Sequence, residues 1–188
     1  MPEAGRDSVE EFVRHRWEAL VRYAVMHTGD VATAEDVVQS VLEKVIPRWH
    51  GLTGDREAYV RRAIVTTNIS RWRRTRREHP ADDPSRSRAE PMTGGPEGVE
   101  WDVRDALSQL TRTQRTVLVL RYVEDLTERE TAELTGMRLG TVKSTAREAL
   151  AAVRRVAPHL LDDGRAPSDA EAEERRLTQP QRHWERMR

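Results

Sequence analysis

The sequence predicts an all-α protein with two small helical domains joined by a flexible linker, the second domain containing a helix-turn-helix. Apolar residues recur at i, i+3/i+4 spacing on both sides of a central gap, as on amphipathic helices, and no segment alternates like a strand. The gap, residues 78–98, holds four prolines and three glycines among polar residues, which is typical of a linker. An ordered proline-rich loop packed on a neighbour is the alternative.

The first domain, residues 8–77, is predicted to contain three helices. The first runs from Glu10 to His27 and ends at Gly29-Asp30. The second begins at Thr33, where Asp36 three residues later completes a variant of the capping pattern, and Pro47 ends it. A glycine-containing loop, residues 50–55, precedes a third helix over 56–77. The residues expected on the inward face of this third helix are Tyr59, Ala63, Ile64 and Ile69.

The second domain, residues 99–161, is also predicted to be helical. Val103, Leu107 and Leu110 form one apolar face, and a valine- and leucine-rich helix follows around Val117. The tail, residues 162–188, has few apolar residues and dense mixed charge, which predicts a disordered or loosely helical extension. Trp184 is the one candidate for a docking contact in that tail.

Composition narrows the function classes. The chain of 188 residues has no cysteine, so disulfides and thiol chemistry are excluded. No apolar run reaches the length of a membrane span, and the N-terminus is too polar for a signal peptide, so we expect a cytoplasmic protein without membrane contact. The formal net charge is zero, yet residues 61–77 carry seven arginines and no acid. This local field favours a polyanionic partner.

The stretch LTERETAELTGMRLGTVKSTAREALA has the spacing of a DNA-binding helix-turn-helix. Thr127 and Glu130 form a T-x-x-E capping box that starts the first helix at Glu128. Gly136 lies where that helix must end with a positive φ. A small residue at the helix crossing and a valine facing it complete the pattern. Similar hairpins also occur in proteins that never touch DNA.

Polar donors then follow on the face of the second helix that points away from the core. Thr141, Lys143, Ser144 and Arg147 suit phosphates and base edges, and Arg147 is long enough to reach a guanine. Gly140 leaves space beside a groove, and a hydroxyl at a helix N-terminus suits a phosphate.

Aromatic residues accompany the basic helix. Trp72 interrupts its arginine run, and Trp49 and Tyr59 flank the preceding glycine loop. Aromatics beside cations suit single-stranded nucleic acid, in which bases stack on rings while arginines follow the backbone. The alternative is that the arginines form a solvated face and that each aromatic belongs to the core.

The order of these parts resembles a known family. AEDVVQSVLEKV, residues 34–45, and AYVRRAIVTTNISRWRR, residues 58–74, look like the first conserved domain of bacterial extracytoplasmic-function sigma factors of the sigma-70 family. The stretch from Leu110 to Arg154 is similar to their second conserved domain. The YVRR…SRWRR form is closest to an actinobacterial SigE-like subgroup. Arg138 stands where members of the family usually have a serine cap. Many members have asparagine at the position of Thr66, and this chain has Asn68 two residues later.

The resemblance implies three surfaces. Asp36, Gln39 and Glu43, on one face of the second helix, would dock on the β′ clamp helices of RNA polymerase. The loop and the basic helix would bind the −10 promoter element and its unpaired strand. The implied −10 residues are Trp49, His50, Arg61, Arg62, Asn68, Arg71, Trp72, Arg73 and Arg74. The helix-turn-helix would read the −35 element through Arg138, Thr141, Lys143, Ser144 and Arg147.

The implied partners are therefore the polymerase core, with contacts to its β′ and β subunits, and promoter DNA. An anti-sigma factor is a further partner that the resemblance allows. No catalytic residue, metal or cofactor is expected, since the six histidines are scattered without ligand spacing. Sigma domains 2 and 4 would correspond to residues 8–77 and 99–161.

Two other classes remain as alternatives. A stand-alone transcriptional regulator with a similar helix-turn-helix would explain the second half but not the acidic and arginine-rich helices of the first. An enzyme acting on DNA would need a nucleophile or a carboxylate cluster for metal. The pairs Asp82-Asp83 and Glu35-Asp36 are the candidate carboxylates, and neither is expected to converge in a pocket.

Overall fold

The computed structural model describes residues 3–78 and 101–158, and every regular element in these two segments is helical. The predicted all-α class is therefore confirmed. Most of the 78–98 linker, the whole 162–188 tail and Trp184 lie outside the described residues. The helices are α1 (Glu3–Thr28), α2 (Val31–Val45), a short 3-10 helix (Ile46–Gly51), α3 (Arg56–Glu78), α4 (Trp101–Ser108), α5 (Arg112–Tyr122), α6 (Glu128–Thr135) and α7 (Leu139–Val156).

The corner between α1 and α2 is built by two residues. Gly29 has a φ of +88°, a conformation that glycine adopts without steric strain. Asp30 then caps α2, because its Oδ1 accepts a 2.7 Å hydrogen bond from the backbone N–H of Thr33. The prediction that α2 begins at Thr33 with Asp36 in the cap is wrong. A carboxylate directly after the glycine turn reaches the first free N–H groups one turn earlier.

The first half of the structure, residues 3–78, has its core between α1, α2 and α3. The valine-rich face of α2 is buried from Val37 to Val45, and Ile64 and Ile69 of α3 are buried as expected. Tyr59 is 39% exposed, so its predicted inward position is wrong. Val60 takes that position, since residues 60, 64 and 68 share one helical face while residue 59 lies beside it.

The second half, described over residues 101–158, consists of the four helices α4 to α7. Thr111 and Gln114 form a reciprocal capping box at the start of α5. Leu107, Leu110 and Leu120 are buried together with the inner face of α7. The buried Arg121 of α5 donates a hydrogen bond to the carbonyl of Leu126, in the turn before α6, which fixes the approach to that helix.

The two halves pack against each other. Helix α1 contacts α5, and α3 contacts α6. One apolar cluster contains residues of both halves, including Val25 and Leu20 with Leu107 and Leu110. The sequence predicts the two groups of helices but does not indicate that they meet.

Within the two described segments, no helix combines the length and the apolar character that crossing a membrane requires.

Candidate nucleic-acid interface

The α6–α7 pair has the geometry of a helix-turn-helix. Thr127 caps α6, since its Oγ1 accepts from the backbone N–H of Glu130 at 3.2 Å and the Glu130 Oε2 accepts from Thr127 N–H at 2.8 Å. Gly136 ends α6 with a φ of +68°. Val142 is fully buried and packs with Ala132. The capping box, glycine turn and helix crossing predicted from the sequence are confirmed.

The outer face of α7 carries a group of exposed donors. Arg138, at the N-cap, makes no side-chain capping hydrogen bond and is exposed. The Ser144 hydroxyl donates to the Thr141 carbonyl at 3.1 Å, and Lys143 pairs with Glu128 of α6 at 3.3 Å. The predicted −35 residues share this solvent-facing surface. Its members are Arg138, Thr141, Lys143, Ser144 and Arg147.

Several arginines of α3 also reach solvent. Arg61 is exposed, ion-paired with Glu57 at 2.7 Å and placed 5.3 Å from the centre of the Tyr23 ring. Arg74 is exposed, and Arg62 and Arg71 are half-buried. His50, in the 3-10 helix, is exposed as well. The basic helix therefore presents cations along much of its length.

A polar cleft of about 330 Å³ lies between α2 and α3. Its walls consist of three cations and four hydroxyl side chains, a chemistry that suits phosphate groups. Arg71 and Arg74 belong to the predicted −10 set. The other lining residues are Ser40, Lys44, Thr66, Thr67 and Ser70. Helical spacing is the sequence signal that could have identified these lining residues. Residues 40 and 44 share one face of α2, and residues 67, 70, 71 and 74 share one face of α3.

Four other predicted −10 residues are buried or half-buried. Trp49 is 1% exposed and packs on Phe12, with ring centres 4.7 Å apart, so the alternative interpretation as a core aromatic holds for it. Trp72 is also 1% exposed, among apolar residues of the second half. Asn68 is buried and donates to the His27 carbonyl at 3.4 Å. Arg73 is half-buried and donates to the Glu133 carbonyl at 2.9 Å.

The three predicted polymerase-binding residues lie together on α2. Asp36, Gln39 and Glu43 are all exposed, opposite the buried valine face. The Gln39 side-chain amide donates to the Glu43 carboxylate at 3.2 Å, which holds both on one helical turn.

Sequence reasoning missed a buried arginine between the halves. Arg115 is 4% exposed and donates to the Thr28 carbonyl at 3.2 Å and to the Leu107 carbonyl at 3.0 Å. Burial lowers the pKa of Arg115 to about 10, with the charge of Arg112 contributing and Asp30 opposing the shift. Arg115 therefore stays protonated at neutral pH. Its role depends on a residue 87 positions away, which no local pattern reveals.

Burial also lowers the pKa of Arg112, and the positive charge of Arg71 adds to this effect. The second half therefore brings a cation close to the basic helix of the first. Within residues 3–78 and 101–158, no three histidine or acidic side chains converge in a way that could hold a metal ion.

Comparisons with known proteins identify a matching family model and related chains. The family model "Sigma-70, region 4" matches residues 101–153, the segment that contains α4 to α7 up to Val153. The RNA polymerase sigma-E factor of Streptomyces antibioticus is 37% identical over 148 residues, which cover 77% of this chain and 82% of the relative. The sigma-E factor of Streptomyces coelicolor is 36% identical over 156 residues, covering 77% and 83%.

A solved structure gives a weaker likeness. The sigma factor RpoE of Bartonella quintana, crystallised with the anti-sigma factor NepR, is 22% identical and superposes with a TM-score of 0.47 over 80% of this chain and 96% of its own. The two sequence matches each cover 77% of this chain and more than four fifths of the relative. By this relationship the chain belongs to the sigma-70 family as an RNA polymerase sigma factor of the extracytoplasmic-function group, with sigma-E factors among its relatives.

Proposed function

We propose that this sigma factor reads the −35 promoter element with the outer face of α7. The observation that carries the proposal is the group of exposed donors around the N-terminal half of α7, on a helix whose inner face is fixed by Val142 and Ala146. In a helix-turn-helix this part of the second helix enters the major groove. Arg147 is suited to a guanine edge, and Ser144 and Thr141 to the phosphate backbone.

The −10 element would bind along α3 and the adjoining cleft. Lys44, Arg71 and Arg74 bring positive charge to a cleft that also offers hydroxyl donors. Such a site positions a backbone phosphate, while Arg61 and Arg62 extend the cationic surface toward the duplex edge. His50, in the 3-10 helix, is exposed at the start of the loop proposed to hold an unstacked base.

The acidic-polar face of α2 would bind the polymerase core. Asp36, Gln39 and Glu43 are exposed and lie on the helix that also contributes Ser40 and Lys44 to the cleft. Polymerase docking and −10 binding would thus use adjacent faces of one helix. The sigma factor contributes binding energy and position to the reaction, and the proposal assigns it no covalent step of its own. It would act in the cytoplasm, together with the polymerase.

The test is transcription from genomic DNA with purified core polymerase and the full-length chain. Sequencing the 5′ ends of the transcripts identifies the promoters, and a promoter found in this way becomes the template for variants. Replacing Arg147 by alanine should lower initiation by about 5- to 150-fold, since a specific arginine–guanine contact contributes about 1–3 kcal/mol.

Arg14→Ala is the control. Arg14 is exposed on α1 and belongs to none of the proposed contact surfaces, so its removal should leave initiation unchanged. Equal loss in both variants would contradict the proposed −35 surface. Tight specific binding to duplex DNA without polymerase, with no promoter-dependent initiation, would instead favour the stand-alone regulator.

A further inference from the structure

A large apolar side chain lies exposed among the polar residues at the start of α7. Leu139 is 42% exposed, although Met137, two residues earlier, is 7% exposed and packs in the apolar cluster that contains Val142. Helix α7 begins at Leu139, directly after the N-cap residue Arg138. Single exposed leucines are common on protein surfaces, so the meaning of this one depends on its position.

Leu139 shares a row of the helix surface with two cations. Residues 139, 143 and 147 follow one another at four-residue spacing, and side chains at this spacing are neighbours on a helix. Lys143 and Arg147 are both exposed. Arg147 is the side chain proposed to reach a guanine edge, and the length of helix between it and Leu139 is about 12 Å. In a groove, Leu139 would therefore meet a different base pair from Arg147.

The first turn of α7 lacks the groups that usually stabilise a helix N-terminus. Helix α6 begins with a threonine cap and carries Glu128 and Glu130 in its first turn. Helix α7 has neither a side-chain capping hydrogen bond nor an acidic residue there. A carboxylate in this turn would stabilise the helix through its dipole, but it would repel a phosphate backbone. The composition of the turn therefore suits an approach to DNA better than it suits helix stability.

The space beside the leucine is open. A Cβ built on Gly140 would have none of the described atoms outside its own helix turn within 4 Å. Gly140 follows Leu139 directly and adds no side chain next to it. The edge of a base pair can therefore come close to the leucine at this point of the helix.

The major groove offers one apolar group among its polar base edges. That group is the 5-methyl of thymine, which apolar side chains contact in major-groove complexes. A surface made for another protein usually groups several aromatic or apolar side chains at its centre. The exposed residues around Leu139 are instead polar or cationic, namely Arg138, Thr141, Lys143 and Ser144. One leucine within a field of donors matches the groove better than it matches a protein surface.

We propose that Leu139 contacts the 5-methyl group of a thymine in the −35 element and so helps to determine which sequence this sigma factor selects. The inference rests on the proposed −35 role of α7, whose donors bring the helix into the groove. Thymine is the one base that carries this methyl group, so the contact distinguishes a T·A pair from the other pairs. Loss of the contact should lower initiation by about fourfold, the factor expected from exposing one buried methyl group.

The test uses a promoter identified from transcript 5′ ends and replaces each thymine of its −35 element by deoxyuridine, one at a time on either strand. Uracil pairs with adenine as thymine does but lacks the 5-methyl group. Run-off transcription with core polymerase and the full-length chain, below saturation, should fall by about fourfold at one of these positions. If no position responds, or if the element contains no thymine, the proposal is wrong.

Variants of the chain identify the side chain that reads the methyl group. Leu139→Ala should lower initiation on the thymine template and should no longer respond to uracil, whereas Leu139→Met keeps an apolar side chain and should retain the response. Val156→Ala removes a 44% exposed apolar residue at the other end of α7 and should respond to uracil as wild type does. A uracil effect that persists in Leu139→Ala would overturn the proposal, since another side chain would then contact the methyl group.

Arg147→Ala separates this inference from the proposed −35 role of α7. If Arg147→Ala lowers initiation while no uracil position has an effect, the −35 role stands and the contact of Leu139 fails. If Arg147→Ala and Leu139→Ala both initiate as wild type does, the −35 role fails together with this inference. The thymine and uracil templates are compared within each variant, so a change in protein stability cannot imitate the expected result.

Discussion

Arg138 occupies the N-cap of α7 without capping it. Its backbone is extended, with φ −70° and ψ 144°, as an N-cap requires, but its side chain makes no capping hydrogen bond. The side chain is instead exposed beside the donors proposed to contact the −35 element. The residue therefore gives up local helix stabilisation at a position where a long cation can reach DNA.

Replacing Arg138 by serine should raise the stability of the fold and lower transcription initiation. A serine oxygen can accept from the free N–H groups of the first turn, which adds up to about 1 kcal/mol of stability. Loss of the cation should at the same time weaken −35-dependent initiation. Thermal unfolding by circular dichroism and run-off transcription measure the two effects.

Arg138→Ala serves as the control for this pair, because it removes the cation without adding a cap. It should reduce initiation as Arg138→Ser does, with no gain in thermal stability. Full transcription from the serine variant would show that Arg138 does not contact DNA.

The arginines of this chain differ in exposure and therefore in what they can bind. Arg147 is exposed on the outer face of α7, whereas Arg115 and Arg121 are buried and donate to backbone carbonyls. The arginine-rich composition therefore does not translate directly into a DNA-binding surface. Burial decides which guanidinium groups remain available to phosphates.

The helix-turn-helix is held together by local contacts. The capping box of α6 satisfies two backbone groups at its start, and the left-handed Gly136 ends the helix after only two turns. A helix as short as α6 is marginal by itself, so its ends and its packing determine its stability. The orientation of α7 depends on this short helix through Ala132 and Val142.

Replacing Thr127 by alanine should therefore destabilise the second half. The expected loss is about 1 kcal/mol, because one cap acceptor disappears and the Glu130 carboxylate loses its partner hydroxyl. Urea denaturation followed by circular dichroism gives the change in unfolding free energy. Thr53→Ala, in the exposed segment before α3, is the control and should be neutral. A neutral Thr127→Ala would mean that packing alone sets the start of α6.

The three proposed surfaces differ in charge and would face different partners. The outer face of α7 and the α2–α3 cleft are cationic or rich in donors, whereas the face of α2 proposed to bind polymerase is acidic and polar. Such a separation would let a chain of zero net charge approach DNA on two surfaces while offering a third to protein.

Charge reversal on α2 tests the third surface. The double variant Asp36→Arg, Glu43→Arg should weaken core polymerase binding by on the order of tenfold or more, since opposed charges steer and stabilise such contacts. Both side chains are exposed, so thermal stability should change little. Biolayer interferometry with immobilised core measures the affinity. Glu18→Arg, exposed on α1, should bind like wild type, and normal binding by the double variant would remove this face from the polymerase interface.

Much of the fold was predictable because it depends on neighbours in sequence. The valine face of α2 and the capping box, glycine turn and exposed donors of the helix-turn-helix all follow from residues three to four positions apart. The predicted start of α2 is wrong because two cap signals compete, Asp30 and the Thr33–Asp36 pair, and the glycine turn decides between them.

Local sequence patterns are enough to specify the helices, their apolar faces and the donors on α7. Which aromatic and cationic side chains remain accessible depends on tertiary packing. Trp49 and Trp72 carry the same sequence signal for base stacking, yet both rings are buried, one against Phe12 and the other against the second half. Arg115 and Thr28 meet across 87 positions. Helical periodicity reports only on the next turn, so contacts between distant helices arise when the apolar faces find a common core.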